Sequence, residues 1–345
     1  MGNDEQRWFT PAKTILLTGA GFTRDFGGYL ASEMWALILN QPGIRKHRKL
    51  RELMLEEMNY ETIYDNVLRK QAYDNGPERE ALKEAIRNAY QQLHEAICLD
   101  DNRHLARAAQ VCNVFISRFA GSQRAPGFFF TLNQDLFIER YYAKTMLKIP
   151  GLDHPKWFNT HLGQKLGEED RVQLPDEKAV KDIKGEFWKK SAVSFAYIKL
   201  HGSYGWKAAN GADVMVIGHA KTEIINNEPL LKWYLSLFRE VLQEPERNLV
   251  VIGYGFGDKY INDIIVDAMN KTKLRLYVVS PMQPKDFKDM LLPLHSASRL
   301  STPNGEALWS GLFGYYQAPV TDFYYENGNK LTPKGEAFFH DLGLV

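Results

Sequence analysis

Residues 14–22 read TILLTGAGF, and this stretch decides the fold. Ile15, Leu16 and Leu17 follow Thr14 without polar alternation, as in a strand buried on both faces of a parallel sheet. Gly19 and Gly21 then permit a tight turn. Beyond TRDFGG the chain runs through YLASEMWALIL (29–39) at helical spacing. Strand, turn and helix in succession are the unit of an open α/β sheet. Five further short apolar runs repeat the strand signal: FFFT (128–131), AYIKL (196–200), VMVI (214–217), LVVI (249–252) and LRLYVV (274–279). After GYGFGD (253–258), Tyr260, Ile261, Ile264, Ile265, Ala268 and Met269 share one helical face. The expected fold is α/β, a Rossmann-like open parallel sheet of about six strands.

Residues 40–120 break this rhythm. They are rich in Arg, Glu, Lys, Gln and Ala, and after Asn75-Gly76-Pro77 a helix places Leu82, Ile86, Ala89, Leu93 and Ile97 on one face. The expected organisation is a core formed by 1–39 and 121–290, a helical insertion at 40–120 between the first and second strands, and a closing segment of helices and irregular structure at 291–345. A second insertion near 150–190, holding Trp157, Phe158 and Trp188, reads as loop and short helix. The composition is that of a globular protein, and the net charge of +1 argues against broad electrostatic capture of nucleic acid while leaving direct binding undecided. The basic run RKHRKLR (45–51) reads as a solvated helix face. With no secretory signal, no membrane-spanning run and only Cys98 and Cys112, the expected setting is a reduced cytoplasm, without disulfide framework or zinc cluster.

The candidate chemistry sits where buried strands end. Gly19, Ala20, Gly21, Phe22 and Thr23 form a turn able to approach a phosphate, although Arg24 stands where the dinucleotide fingerprint has its third glycine. Asn133 and Asp135 follow the FFFT strand. Both are favoured helix N-caps, and Asp135 suits that role, but capping does not account for both. His201 ends the AYIKL strand beside Gly202 and Gly205, where a ligand can come close, and its ordinary pKa suits proton transfer near neutrality. Among the other histidines His219 has the best context. A second glycine-rich turn offers Gly253, Gly255 and Phe256, and the last strand ends at Ser280 on the same rim.

Taken in order, GAGFT, TLNQD, KLHGS and GYGFGD resemble the sirtuin-like (Sir2-like) family, specifically its bacterial NAD-hydrolysing branch of antiphage defence, over residues 13–281. The resemblance implies that Gly19, Ala20, Gly21, Phe22 and Thr23 bind the NAD pyrophosphate, that Asn133 and His201 are the catalytic pair, and that Asp135 supports the nicotinamide end. Gly253, Gly255, Phe256 and Ser280 complete the implied NAD site. Deacetylases of the family carry a four-cysteine zinc module after the His strand, and neither cysteine lies there, so NAD is expected as substrate and zinc is not. The implied activity is NAD+ hydrolysis to nicotinamide and ADP-ribose. A zinc-free deacylase or ADP-ribosyltransferase, or a non-catalytic NAD or ADP-ribose-binding module, are the alternatives. The implied partners are further copies of the chain as a homo-oligomer, and a HerA-type ATPase translocase or a short Argonaute system.

Overall fold

The structure, a computed structural model, describes residues 7–69, 76–97, 103–141, 147–153, 167–189, 194–293, 304–325 and 330–344. Strands β1 (Thr14–Thr18), β2 (Gly127–Thr131), β3 (Leu147–Lys148), β4 (Val172–Gln173), β5 (Phe195–Lys199), β6 (Gly202–Lys207), β7 (Asp213–Met215), β8 (Asn248–Ile252), β9 (Arg275–Ser280) and β10 (Leu312–Gln317) form two sheets. The larger has seven strands in the order β10-β9-β8-β1-β2-β5-β3, every pair parallel. Each residue of β1, β2, β5 and β8 is buried, as unbroken apolar runs require of strands covered on both faces. The smaller sheet, β4-β6-β7, pairs β4 with β6 in parallel and β6 with β7 antiparallel.

The sheet therefore has seven strands where about six are expected, and its membership differs too. VMVI leaves the main sheet, because Gly202 turns the chain away at φ +71°, a backbone geometry in which a Cβ would collide with the Val214 carbonyl. Val214 and Met215 belong instead to β7, which pairs with β6 in the small sheet, and Val216 and Ile217 are buried just beyond it. In place of VMVI come β3, only two residues long, and β10. The closing segment thus supplies an edge strand as well as helices. LFGYYQ hides this, being half-buried and interrupted by Gly314, so it presents neither a continuous apolar run nor clean alternation.

Helices α1 (Ala20–Arg24), α2 (Ala31–Leu39), α3 (Pro42–Lys46), α4 (Arg48–Glu56), α5 (Tyr60–Arg69), α6 (Pro77–Ala96) and α7 (Arg103–Ser117) lie between β1 and β2. α6 starts with Pro77 at its first turn and buries Leu82, Ile86, Ala89 and Leu93, against which α2, α3 and α5 pack. The basic run lies on α3 and α4 with its Lys and Arg side chains exposed and Leu50 buried. After β2 come α8 (Phe137–Tyr141), α9 (Glu177–Phe187), α10 (Lys221–Asn227), α11 (Pro229–Leu242), α12 (Lys259–Thr272), α13 (Pro284–Leu291), α14 (Gly305–Ser310) and α15 (Pro333–Leu342). In the second insertion α9 is longer than the expected short helix and β4 adds a two-residue strand; Trp157 and Phe158 lie outside the described residues, as does Cys98. Among the described residues no helix is long and apolar enough to cross a membrane.

In sequence the chain leaves β1 for β2 on one side and later returns to β8 on the other, so β1 is the topological switch point. Open α/β sheets bind ligands there, outside the carboxyl ends of the strands.

Candidate active site

A cavity of about 780 Å³ opens at that edge, within the roughly 300–1,000 Å³ typical of small-molecule sites. The segments following β1, β2, β5, β8, β9 and β10 all line it. Its floor is made where two glycine turns cross. Gly19 N–H donates to the Ile252 carbonyl and Gly21 N–H to the Gly253 carbonyl, each at 2.9 Å. A Cβ on Gly19 would lie 2.7 Å from the Gly253 oxygen, and one on Gly21 at 2.7 Å from the Gly253 Cα. Gly253 itself stands at φ +65°, and a Cβ there would strike the Phe22 nitrogen. The glycines are needed for this backbone-to-backbone contact. Gly19, Ala20 and Gly21 face the cavity, but the Gly19 and Gly21 N–H groups are already taken by the neighbouring loop.

Phe22 and Thr23 point away from the cavity. Phe22 is buried against Phe26 and Phe129 and anchors α1 to the core. Thr23 joins the two residues that follow β2. Its hydroxyl donates to Asp135 Oδ2 at 3.0 Å and accepts from Asn133 Nδ2 at 2.6 Å. A hydroxyl has one proton to give, so the Asn133 amide must turn its nitrogen to Thr23. Its carbonyl oxygen is then the acceptor left for a ligand. Asp135 Oδ1 meanwhile accepts from Phe137 N at 3.0 Å and caps α8, so one carboxylate serves both the helix and the site. Below this loop Lys199, fully buried, pairs with Glu139 at 2.8 Å and donates to the Asp135 carbonyl. Burial raises the Glu139 pKa, opposed by Lys199. Removing either partner of such a buried pair costs roughly 3–5 kcal/mol.

His201 lines the cavity beside Asn133 and Asp135 and is 4% exposed. Burial lowers its pKa from 6.5 to about 4, with Asp258 pulling it back up and Lys221 adding to the fall. The imidazole is therefore neutral at pH 7. Its Nε2 contacts the Tyr260 hydroxyl and lies 3.9 Å from Asp258 Oδ2. Asp258 occupies the N-cap of α12 without accepting a cap hydrogen bond, forgoing an interaction typically worth about 1 kcal/mol. Its Oδ1 instead meets Lys221 Nζ at 2.9 Å, and Lys221 reaches Glu61 of α5 at 2.9 Å. Burial would depress the Lys221 pKa, but Asp258 and Glu61 outweigh it and raise it; burial also raises Glu61, and His201 with Lys221 outweighs burial at Asp258 and lowers it.

Gly255 and Ser280 line the far part of the cavity with Val278, Met282, Phe287 and Met290. Phe256 does not: it is fully buried against Phe287 at φ +53°, with its carbonyl held by Asn262 Nδ2 at 2.6 Å. His219 is also outside the lining, bonded to Thr62 at 3.1 Å. Among the lining residues to which sequence reading assigned no site role are Tyr60, Glu61, Tyr90 and Leu93 of the helical insertion, together with Arg24, Asp25, Gln134, Lys221 and Asp258. Gln134 links the loop after β2 to both neighbours, donating to the Val216 carbonyl at 2.9 Å and accepting from the Tyr90 hydroxyl at 2.7 Å. Asp25 accepts from Val320 N at 2.8 Å, and burial raises its pKa to about 6. Among the described residues no group of three His, Cys, Asp or Glu could hold a metal ion, and Cys112 is buried and unpaired.

A parallel sheet with paired glycine turns, and with an Asn, an Asp and a buried His gathered in one cavity at its switch point, is a Rossmann-like α/β architecture. Residues 127–299, about half of the chain, match the family model of the SIR2-like domain, and the chain belongs to the SIR2-like family of NAD-utilising enzymes. The match begins at β2, so β1, its glycine turn and the helical insertion lie outside it. No curated protein matches the chain.

Proposed function

We propose that the protein is an NAD+ glycohydrolase that cleaves the nicotinamide–ribose bond to give nicotinamide and ADP-ribose. The observation that carries this reading is the pairing, in one cavity, of an Asn133 carbonyl oxygen fixed by Thr23 with a buried, neutral His201. Departure of nicotinamide leaves oxocarbenium-like charge on the ribose, as in glycoside cleavage. The bonding pair goes to the nicotinamide nitrogen and neutralises it, so no strong acid is needed. Water forms the new C–O bond and loses its proton to His201, which returns it to solvent. Asn133 accepts a hydrogen bond from that water or a ribose hydroxyl and fixes the geometry. Gly19, Ala20, Gly21 and Arg24 flank the pyrophosphate, Asp135 supports the nicotinamide end, and Gly253, Gly255 and Ser280 line the remainder of the NAD site. Thr23 and Phe256 act from behind the lining.

The wider proposal, an NAD-depleting effector of antiphage defence that is homo-oligomeric and works with a HerA-type translocase or a short Argonaute system, rests on the motif resemblance. The enzymatic reading is tested by incubating the full chain with NAD and separating products by chromatography. Equal amounts of nicotinamide and ADP-ribose are expected. Intact NAD in a stable complex would overturn it in favour of a binding module, and cyclic ADP-ribose would replace water by the adenine as nucleophile.

A further inference from the structure

We propose that Asp258, steered by Lys221 and through it by Glu61 of the helical insertion, is the positioning residue of His201, fixing it as the Nε2–H tautomer so that Nδ1 takes the proton. The inference rests on the reading of His201 as the proton acceptor.

Four observations converge on it. Asp stands at an N-cap position, where its side chain ordinarily bonds the first-turn N–H groups, and here it does not. The carboxylate is turned the other way, with one oxygen on Lys221 and the other 3.9 Å from His201 Nε2. The Nε2 side of the ring thus meets the start of α12, where Tyr260 also contacts it. A carboxylate on that side favours a hydrogen on Nε2, donated to the Tyr260 oxygen. Among the described residues no hydrogen bond engages Nδ1, and His201 lines the cavity. The ring is therefore held by one nitrogen and open at the other, the arrangement a base needs when a carboxylate orients it and later faces the imidazolium.

Lys221 explains how the carboxylate is held off a full ion pair with the ring. It is 14% exposed and lies between two acids from different parts of the chain, Asp258 before α12 and Glu61 on α5. The groups facing His201 are thus Asp258 and Tyr260 from α12 and Lys221 from α10, with Glu61 of α5 behind Lys221. Their charges make opposite demands on the ring: Asp258 favours the imidazolium and Lys221 opposes it. Glu61 connects the insertion to this balance, while Asp65 receives the backbone N–H of His219 and fixes the turn that carries Lys221. The insertion is accordingly part of the catalytic apparatus.

The test reads His201 without requiring turnover. Protein carrying 13C,15N-labelled histidine is titrated by NMR, the His201 signals being assigned by their loss in His201→Asn. Wild type is expected to show the Nε2–H tautomer. Asp258→Asn should move the His201 midpoint down and Lys221→Met should move it up, each by about one unit. Glu61→Gln should move it in the direction opposite to Lys221→Met, because Lys221 is then less neutralised. A purely structural role would move all three together or not at all, and an Nδ1–H tautomer in wild type would overturn the proposal. If Asp258→Asn does not fold, the opposed shifts of Lys221→Met and Glu61→Gln still decide. Expected shifts without NAD cleavage would refute the hydrolase reading and leave the positioning intact; cleavage with an unmoved titration would do the reverse.

Discussion

Replacing Thr23 by valine keeps the shape of a 2% exposed side chain and removes the hydroxyl that joins Asn133 to Asp135. Two hydrogen bonds vanish, and Asn133 Nδ2 and Asp135 Oδ2 lose a partner. Each such group costs about 1–3 kcal/mol when water cannot replace the bond. Both residues border the cavity, so water repairs part of the loss, and a net destabilisation of about 2 kcal/mol is expected. The catalytic effect should be larger than stability implies. With no fixed donor direction the Asn133 amide is free to flip, presenting nitrogen where the substrate needs an oxygen. Misplacement of one positioning group is worth about 100-fold, or roughly 2.7 kcal/mol of barrier. The assay is the initial rate of nicotinamide release at saturating NAD, run beside thermal unfolding of the same preparations. Thr23→Ser restores the hydroxyl and should recover most of the rate. Wild-type turnover in Thr23→Val, or a serine variant as impaired as the valine one, would refute the reasoning.

Further outcomes can be checked independently. Because His201 has a folded pKa of about 4, below its ordinary 6.5, kcat/KM for NAD should stay level down to about pH 5, and an acid limb near 6.5 would contradict the burial argument. The same depression means that His201 contributes stability fully present above pH 6.5 and lost as pH falls through 4, about 3 kcal/mol in all. Asp25 runs the other way: its pKa is raised from 3.8 to about 6, so its contribution is present below 3.8 and lost as pH rises through 6. Asp25→Asn should therefore be more stable than wild type by about 1–3 kcal/mol at pH 7.5, with the difference gone at pH 4, as read by denaturant unfolding at both values. Gly253→Ala, at φ +65° and against the Phe22 nitrogen, should lose about 2–4 kcal/mol. Gly255→Ala, whose Cβ would meet nothing within 4 Å, should melt within a few degrees of wild type by calorimetry.

What the sequence disclosed follows from how locally each feature is encoded. TILL, FFFT, AYIKL, LVVI and LRLYVV declare themselves because a strand covered on both faces needs no alternation. Four of the cavity-lining residues, Gly19, Asn133, His201 and Gly253, each follow one of those strands within two positions. β3 and β10 were not legible because their pairing depends on a neighbour already in place, and VMVI misled because burial in a small second sheet gives the same apolar run. Asp258, Lys221 and Glu61 carry no local signal in the sequence; only the folded chain brings them together from three separate segments, with Asp258 and Lys221 next to His201. Phe22 and Phe256 sit in glycine turns that face the cavity, yet an aromatic ring beside glycine is as useful for anchoring a turn to the core as for meeting a ligand.

The most direct measurement pairs NAD binding with NAD cleavage in wild type and Asn133→Ala. Calorimetric titration gives the affinity of the variant, and nicotinamide release gives the turnover of both. The predicted result is that Asn133→Ala binds NAD within a few-fold of the wild-type KM while releasing nicotinamide about 100-fold more slowly, since one group that orients the reacting ribose or water is removed from an otherwise complete site. Cleavage by Asn133→Ala at the wild-type rate would contradict the assignment of the site.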